Sequence, residues 1–314
     1  MAIPSVDLAD FLSGDPAKKL DFVNKLGKAY EDVGFVAVKN HGIPMSTIDD
    51  LYKYVESFFA LPVNVKTKYE IPELAGQRGY TSFGREHAKG SDAPDLKEFF
   101  QYGQIVEKNH PLKNEYPDNV AVKEIPALND TFFNAYRSFE KSGKALLQAI
   151  ALYLGLDEFY FDKFVNNGNS ILRAIHYPPI KEEPKSAIRA EQHEDINLIT
   201  LLVGASADGL QVLDKQERWV SVTSLPDQIV VNVGDMLQRL TNNKLRSTTH
   251  RVVNPPRELW GTSRFSIPFF LHPIANMSLA CLDSCITKTN PKDYDDVTAG
   301  EYLDERLREI GLKA

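Results

Sequence analysis

Cysteine is nearly absent: the 314 residues contain two, Cys281 and Cys285. No Cys or His stands close enough in sequence to complete a zinc site with them, so two ordinary thiols of a reducing cytosol are expected. Long apolar runs are lacking too, and none approaches the ~20 residues a helix needs to cross a bilayer. The opening Met1-Ala2-Ile3-Pro4-Ser5-Val6-Asp7 has no basic stretch followed by an apolar one, so no signal peptide is expected and the chain reads as cytoplasmic, with no membrane partner. Basic charge is in deficit. With Lys+Arg at 36 and Asp+Glu at 43 the net charge is −7, which disfavours extended contact with phosphate backbones and hence nucleic acid as a partner. Internal repeats, low-complexity linkers and a His-Glu-x-x-His motif are all missing. What remains is ordinary: 43% hydrophobic and 25% charged residues, enough to bury the core of one large folded unit.

The first half of the chain reads as helices around short strands. Ile3 to Val6 suits a strand; Asp15-Pro16 supplies a cap and first-turn proline for a helix ending at Gly34. Phe35 to Val38 is a second strand. Ser46 with Asp49 predicts a helix start running to about Ala60, and Asp130 to about Leu154 is the longest helical stretch. Residues 70–118 are rich in Gly, Pro, Lys and Glu; Gly76 to Tyr80 and Gly84-Arg85-Glu86-His87 read as mobile loop. From Ile171 the pattern changes to short strands, and Asp208-Gly209 suggests a hairpin turn between Leu198–Val203 and Leu210–Leu213. Further strands are expected at Ile229–Val233, His250–Val253 and Arg264–Leu271. Many short strands with close turns indicate a sandwich or jelly roll. Thr298 with Glu301 reads as a capping box for a closing helix with Leu303, Leu307 and Ile310 on one face.

The chemistry concentrates in that second half. His193 and Asp195 flank Glu194, and on a strand alternate residues share a face, so both can aim at one metal. His250 would arrive from a different strand. Two imidazoles and one carboxylate form the facial triad that holds non-haem Fe(II) with open positions. Alone the pattern is weak, since it can arise by accident and zinc accepts the same donors. Arg264 and Ser266 form a second same-face pair. A guanidinium grips a carboxylate through two parallel hydrogen bonds and Ser266 can add a third; a dicarboxylate held there could chelate the iron with its other end. The bland alternative is a surface strand with an exposed ion pair, but the alternation with Phe265 and Ile267 allows the arginine to face inward.

The chain resembles the isopenicillin N synthase-like group of Fe(II)/2-oxoglutarate dioxygenases. The resemblance rests on Ile3-Pro4-Ser5-Val6-Asp7, Gly34-Phe35 through Asn40-His41-Gly42-Ile43-Pro44, Phe58 to Pro62, and Tyr177-Pro178-Pro179. It continues with His193-Glu194-Asp195 through Leu202, Gly209 to Val212, Asn232-Val233-Gly234-Asp235, Ser247 to Val252, and Arg264-x-Ser266, in the expected order. It implies a mixed α and β fold, with a distorted double-stranded β-helix (jelly roll) core flanked by helices. Residues 1–110 would pack on the core as a helical and strand region, 111–168 form a long-helix region, 169–275 the jelly roll, and 276–314 a closing segment of the same folded unit. By resemblance His193, Asp195 and His250 bind Fe(II), while Arg264 and Ser266 bind the distal carboxylate of 2-oxoglutarate with Tyr177 as an additional donor. The chain departs from the plant pattern Asn-Tyr-Tyr-Pro with Ile175-His176-Tyr177-Pro178; alternation turns His176 away from Tyr177's face and gives it a structural role. Phe270, Arg173, Tyr80, Phe83 and Arg85 are candidates for the substrate pocket.

The expected activity is oxidation of a small-molecule metabolite, hydroxylation by default and desaturation or cyclisation with different positioning, releasing succinate and CO₂. Fe(II), 2-oxoglutarate and O₂ would take part, with ascorbate a candidate reductant. Two other readings stay open: an Fe(II) oxidase of the same fold that does not consume 2-oxoglutarate, as in isopenicillin N synthase or aminocyclopropane carboxylate oxidase, and a non-catalytic metal- or ligand-binding module.

Overall fold

A computed structural model of the chain describes residues 3–86, 94–184, 186–204, 206–222 and 227–309. His87 and Ile310, named above, lie outside them. The strands are β1 (Ser5–Asp7), β2 (Phe35–Lys39), β3 (Gly79–Thr81), β4 (Glu98–Gly103), β5 (Ile171–Tyr177), β6 (Ala190–His193), β7 (Ile199–Val203), β8 (Leu210–Leu213), β9 (Trp219–Ser221), β10 (Gln228–Val233), β11 (His250–Val252) and β12 (Arg264–Leu271). They form an eight-stranded sheet ordered β1-β2-β10-β7-β12-β5-β4-β3 and a four-stranded sheet ordered β6-β11-β8-β9. Pairing is antiparallel except between β1 and β2. This is the mixed, jelly-roll architecture that the strand-rich second half predicts.

Eight α-helices are seen among the described residues: α1 (Leu8–Leu12), α2 (Pro16–Asp32), α3 (Met45–Phe59), α4 (Val63–Lys66), α5 (Pro126–Tyr153), α6 (Asp162–Val165), α7 (Asp235–Leu240) and α8 (Ala299–Glu309). Asp15 caps α2 as expected, its Oδ1 accepting from the Ala17 N–H at 2.8 Å. Helix α5 is the backing of the large sheet. Its Phe139 stacks on Phe269 of β12 at 5.5 Å between centroids, and Gly143 admits Leu201 and Leu271 where a Cβ would stand 3.1 Å from Leu271 Cδ2. No helix among the described residues is long and apolar enough to cross a membrane. Cys281 and Cys285 are both free and buried.

Several boundaries differ from expectation. Helix α3 starts at Met45 with Pro44 at its N-cap, so Ser46 and Asp49 lie within the first turns; the fixed φ of proline sets the start in place of the serine. Helix α5 begins at Pro126, where a proline at the first position loses no hydrogen bond. The stretch 79–81 is strand, not loop, and Arg78 beside it is buried. The hairpin across Asp208-Gly209 does not form: β7 pairs with β10 and β12 in the large sheet, whereas β8 pairs with β9 and β11 in the small one. The chain uses this connection to change sheets, a choice set by long-range pairing.

Candidate active site

The small sheet delivers the two imidazoles. His193 ends β6 and His250 opens β11, and the two are direct antiparallel partners, with ring centroids 4.4 Å apart. Asp195 does not sit on the strand, which stops at His193. It is held instead by the segment that follows β10: its carbonyl accepts the Asp235 N–H at 2.8 Å, while Leu198 and Asn197 accept from Gly234 and Met236 at 3.0 Å each. A Cβ at Gly234 would fall 2.4 Å from the Asn197 carbonyl oxygen, so only glycine permits this approach.

Hydrogen bonds leave one donor atom free on each side chain. His193 Nδ1 meets the Glu191 carbonyl at 2.7 Å and His250 Nδ1 that of Thr248 at 3.1 Å, which assigns the ring proton to Nδ1 and the lone pair to Nε2. Asp195 Oδ2 accepts from Thr200 Oγ1 at 2.6 Å and Asn232 Nδ2 at 2.8 Å. Its Oδ1 faces the two Nε2 atoms at 3.9 Å (His193) and 3.7 Å (His250). All three ligand atoms lie within 4.8 Å of one another, a grouping able to hold a metal ion.

The electrostatics favour that use. Burial, then the neighbouring His250, push the His193 imidazole down to about 4 despite the Asp195 charge, although 36% of its side chain remains accessible at the cavity. Burial alone would raise the Asp195 carboxyl, but His250, His193, Asn232 and Thr200 outweigh it and hold it below the ordinary range. Neutral imidazoles and an ionised carboxylate are the forms that ligate a cation.

These residues open on a cavity of about 210 Å³ that also reaches Tyr177, Arg264, Ser266, Arg173 and Phe270. Arg264 and Ser266 lie on β12 of the large sheet with 2% and 4% exposure. Arg264 Nε donates to the Ala207 carbonyl at 3.0 Å, its Nη1 is buried without a partner, and its guanidinium lies 5.0 Å from the Tyr177 ring centroid. A buried guanidinium N–H without a partner costs free energy unless an acceptor reaches it, which suits a carboxylate ligand. Arg173 runs between aromatic rings, 4.2 Å from the Phe99 centroid and 5.3 Å from that of Phe270. His176 points elsewhere: it bonds Glu98 at 2.7 Å and stacks on Phe265 at 4.7 Å, the structural role expected of it.

Three pocket candidates are not brought to this cavity. Tyr80 is core, packed on Phe58 with its hydroxyl on Glu98; Phe83 is half exposed; Arg85 is exposed and paired with Glu70 at 3.3 Å. The polar wall is instead made by the expected Arg173 together with Glu86, Asp95, Lys97 and Gln101, which are not among the sequence candidates. Lys97 pairs with Glu86 at 2.6 Å and Asp95 at 2.8 Å, and Arg173 bonds Glu86 and Gln101. The available signal is the apolar run Phe99-Phe100 with Tyr102, which marks β4 as a buried strand carrying Gln101. His272, also on the wall, is pushed down to about 4 by burial.

A jelly roll with an inward His-Asp-His cluster, and across from it a buried arginine whose Nη1 has no partner, defines a class of metal- and carboxylate-binding oxygenases. Comparison with known proteins names it. Residues 168–273 match the 2OG-Fe(II) oxygenase superfamily, and residues 3–124 match the non-haem dioxygenase in morphine synthesis N-terminal family. A proline hydroxylase, buaE of Petromyces alliaceus, is 32% identical over 98% of this chain and 99% of its own. The crystal structure of a 2OG-Fe(II) oxygenase family protein from Caulobacter crescentus superposes with a TM-score of 0.88 at 41% identity, covering 98% of this chain and 99% of that one. A full-length Neurospora crassa protein crystallised in complex with alpha-KG and thymine gives 0.84 at 31%, covering 98% and 96%. The chain belongs to the 2OG-Fe(II) oxygenase superfamily and is an Fe(II)- and 2-oxoglutarate-dependent dioxygenase, which sets aside the 2-oxoglutarate-independent oxidase and the non-catalytic module.

Proposed function

We propose that His193, Asp195 and His250 hold the Fe(II), that Arg264, Ser266 and Tyr177 receive the distal carboxylate of 2-oxoglutarate, and that the enzyme hydroxylates a small polar metabolite beside Arg173 and Phe270. The observation that carries this reading is the hydrogen-bond pattern at the triad: Nδ1 of each ring and Oδ2 of the aspartate are already bonded, leaving one free ligand atom per residue, all converging. Bound Fe(II) would supply open coordination positions for 2-oxoglutarate and O₂, whose joint consumption to succinate and CO₂ oxidises a substrate C–H bond.

The chain's own residues do the rest. Arg264 orients the dicarboxylate by its far end, so that the oxo-acid end faces the triad from the opposite sheet. Apolar residues Ile171, Ile175, Leu202, Leu210 and Val252 on the cavity wall limit water there. The ion-paired Glu86, Lys97, Asp95 and Arg173 give the substrate wall polar contacts with little net charge, which favours an uncharged or zwitterionic substrate. Relatives crystallised with thymine or 5-formyluracil, or named for proline, are associated with molecules of that size. The test is anaerobic addition of Fe(II) and then 2-oxoglutarate. A weak visible charge-transfer band is expected only after the second addition, and succinate formation in air is expected to vanish in His193→Ala and Asp195→Ala. Normal succinate from either variant would refute the ligand assignment.

A further inference from the structure

Arg264 is not the lone buried guanidinium at its end of the cavity. Arg189, just before β6, is 1% exposed; its Nη2 donates to the Thr262 carbonyl at 3.1 Å and its Nε has no partner. Its guanidinium lies 5.9 Å from the Tyr177 ring centroid, the same ring that Arg264 approaches at 5.0 Å. Among the described residues no carboxylate is ion-paired to either arginine. The other buried cations that flank the cavity are neutralised: Lys97 by Glu86 and Asp95, Arg173 by Glu86.

Two like charges buried around one aromatic ring repel each other and forgo hydration, a cost that persists unless a negative charge arrives. Burial first, and the charge of Arg264 second, lower the Arg189 pKa to about 10, yet leave it protonated at neutral pH. The Tyr177 ring offers its π face to cations and spaces the pair.

We propose that Arg189 is a positioning residue for the cosubstrate: with Arg264 and Tyr177 it forms a two-guanidinium receptor whose summed charge selects a 2-oxo acid bearing a second carboxylate. The inference rests on the assignment of Arg264 above. Arg189 is absent from the cavity lining, so it acts through its field and by fixing Tyr177, not by contact with the ligand. At the separations of such a pair, in a medium of effective dielectric ~20, one charge alters carboxylate affinity by about tenfold or somewhat more.

The experiment titrates the full-length Fe(II) enzyme anaerobically, reading the charge-transfer band with 2-oxoglutarate and with 2-oxobutanoate, which chelates alike but lacks the distal carboxylate. Arg189→Gln and the apolar near-isostere Arg189→Met are expected to weaken 2-oxoglutarate about tenfold and leave 2-oxobutanoate within twofold; Arg189→Lys, which keeps the charge, should recover most of the loss. Unchanged 2-oxoglutarate affinity in the folded Gln or Met variant overturns the proposal, as does an equal loss for both oxo acids, which marks a merely structural residue. Arg264→Gln is the control. If it also leaves 2-oxoglutarate binding intact, the site assignment itself fails; if it weakens binding while the Arg189 variants do not, only the role of Arg189 fails.

Discussion

Replacing Asn232 by alanine tests whether the Asp195 carboxylate is held for a metal. Asn232 Nδ2 and Thr200 Oγ1 both donate to Oδ2, and Asn197 Nδ2 donates in turn to Thr200 Oγ1 at 2.8 Å, so the carboxylate is fixed by a buried relay. A hydrogen bond to a charged group contributes about 1.5–3 kcal/mol. Removing one leaves Oδ2 half-satisfied and lets the carboxylate turn, so that Oδ1 no longer faces the two Nε2 atoms by default. Part of the loss is shared by the metal-free protein and cancels; the remainder, about 1.5 kcal/mol, corresponds to roughly tenfold in metal affinity, the lower end of what outer partners of ligands contribute. Anaerobic competition for Fe(II) against a chelator of known affinity measures it. Asn232→Ala and Thr200→Val should each weaken Fe(II) about tenfold, and the double variant should be less than additive because the two bonds serve one oxygen. Affinities within twofold of the parent in both single variants would falsify the claim that this relay aims the ligand.

Two further outcomes follow from packing and charge. Glu86 is the hub of the cavity wall: burial would raise its carboxyl, but Arg173 and Lys97 outweigh this and hold it down at about 2, so its stabilisation is complete above the unfolded value near 4.5 and is lost as pH falls toward 2. The drop amounts to about 3 kcal/mol at most; between pH 5 and 3 the urea midpoint should fall more steeply for the parent than for Glu86→Gln, and parallel pH profiles would contradict it. Phe139→Ala removes a fully buried ring between α5 and β12 and should cost about 3–5 kcal/mol in denaturant unfolding with an unchanged m-value; a loss under about 1 kcal/mol would show that helix and sheet repack freely.

The metal cluster is legible in the sequence because its histidines sit at the ends of recognisable strands, His193 closing one and His250 opening another, while Arg264 and Ser266 obey a two-residue alternation. The route by which Asp195 joins them is not legible as geometry, since it depends on backbone bonds to Asp235 across a glycine contact that no local pattern encodes. That three of the pocket candidates fall away from the cavity has a related reason. Tyr80, Phe83 and Arg85 look like loop residues free to line a site, but Tyr80 belongs to a strand whose position is fixed by pairing with β4, and that pairing is non-local. The jelly roll itself is evident from strand spacing, whereas the sheet assignment of β7 and β8 is not, because a turn signal says where the chain bends and not what it bends toward.

The two histidines of the triad and Arg264 stand on different sheets, with Phe99, Ile175 and Tyr177 of the large sheet packed into one apolar cluster with Ala190 and Val252 of the small one. That cluster is a spacer. Under the proposed assignment its thickness would set how far the triad lies from Arg264, so the packing of Ile175, Tyr177, Ala190 and Val252, which also line the cavity, would help to measure the length of the oxo diacid. The distance between the two ends of the proposed site is thus a property of how the two sheets pack, as well as of the side chains that reach into the cavity.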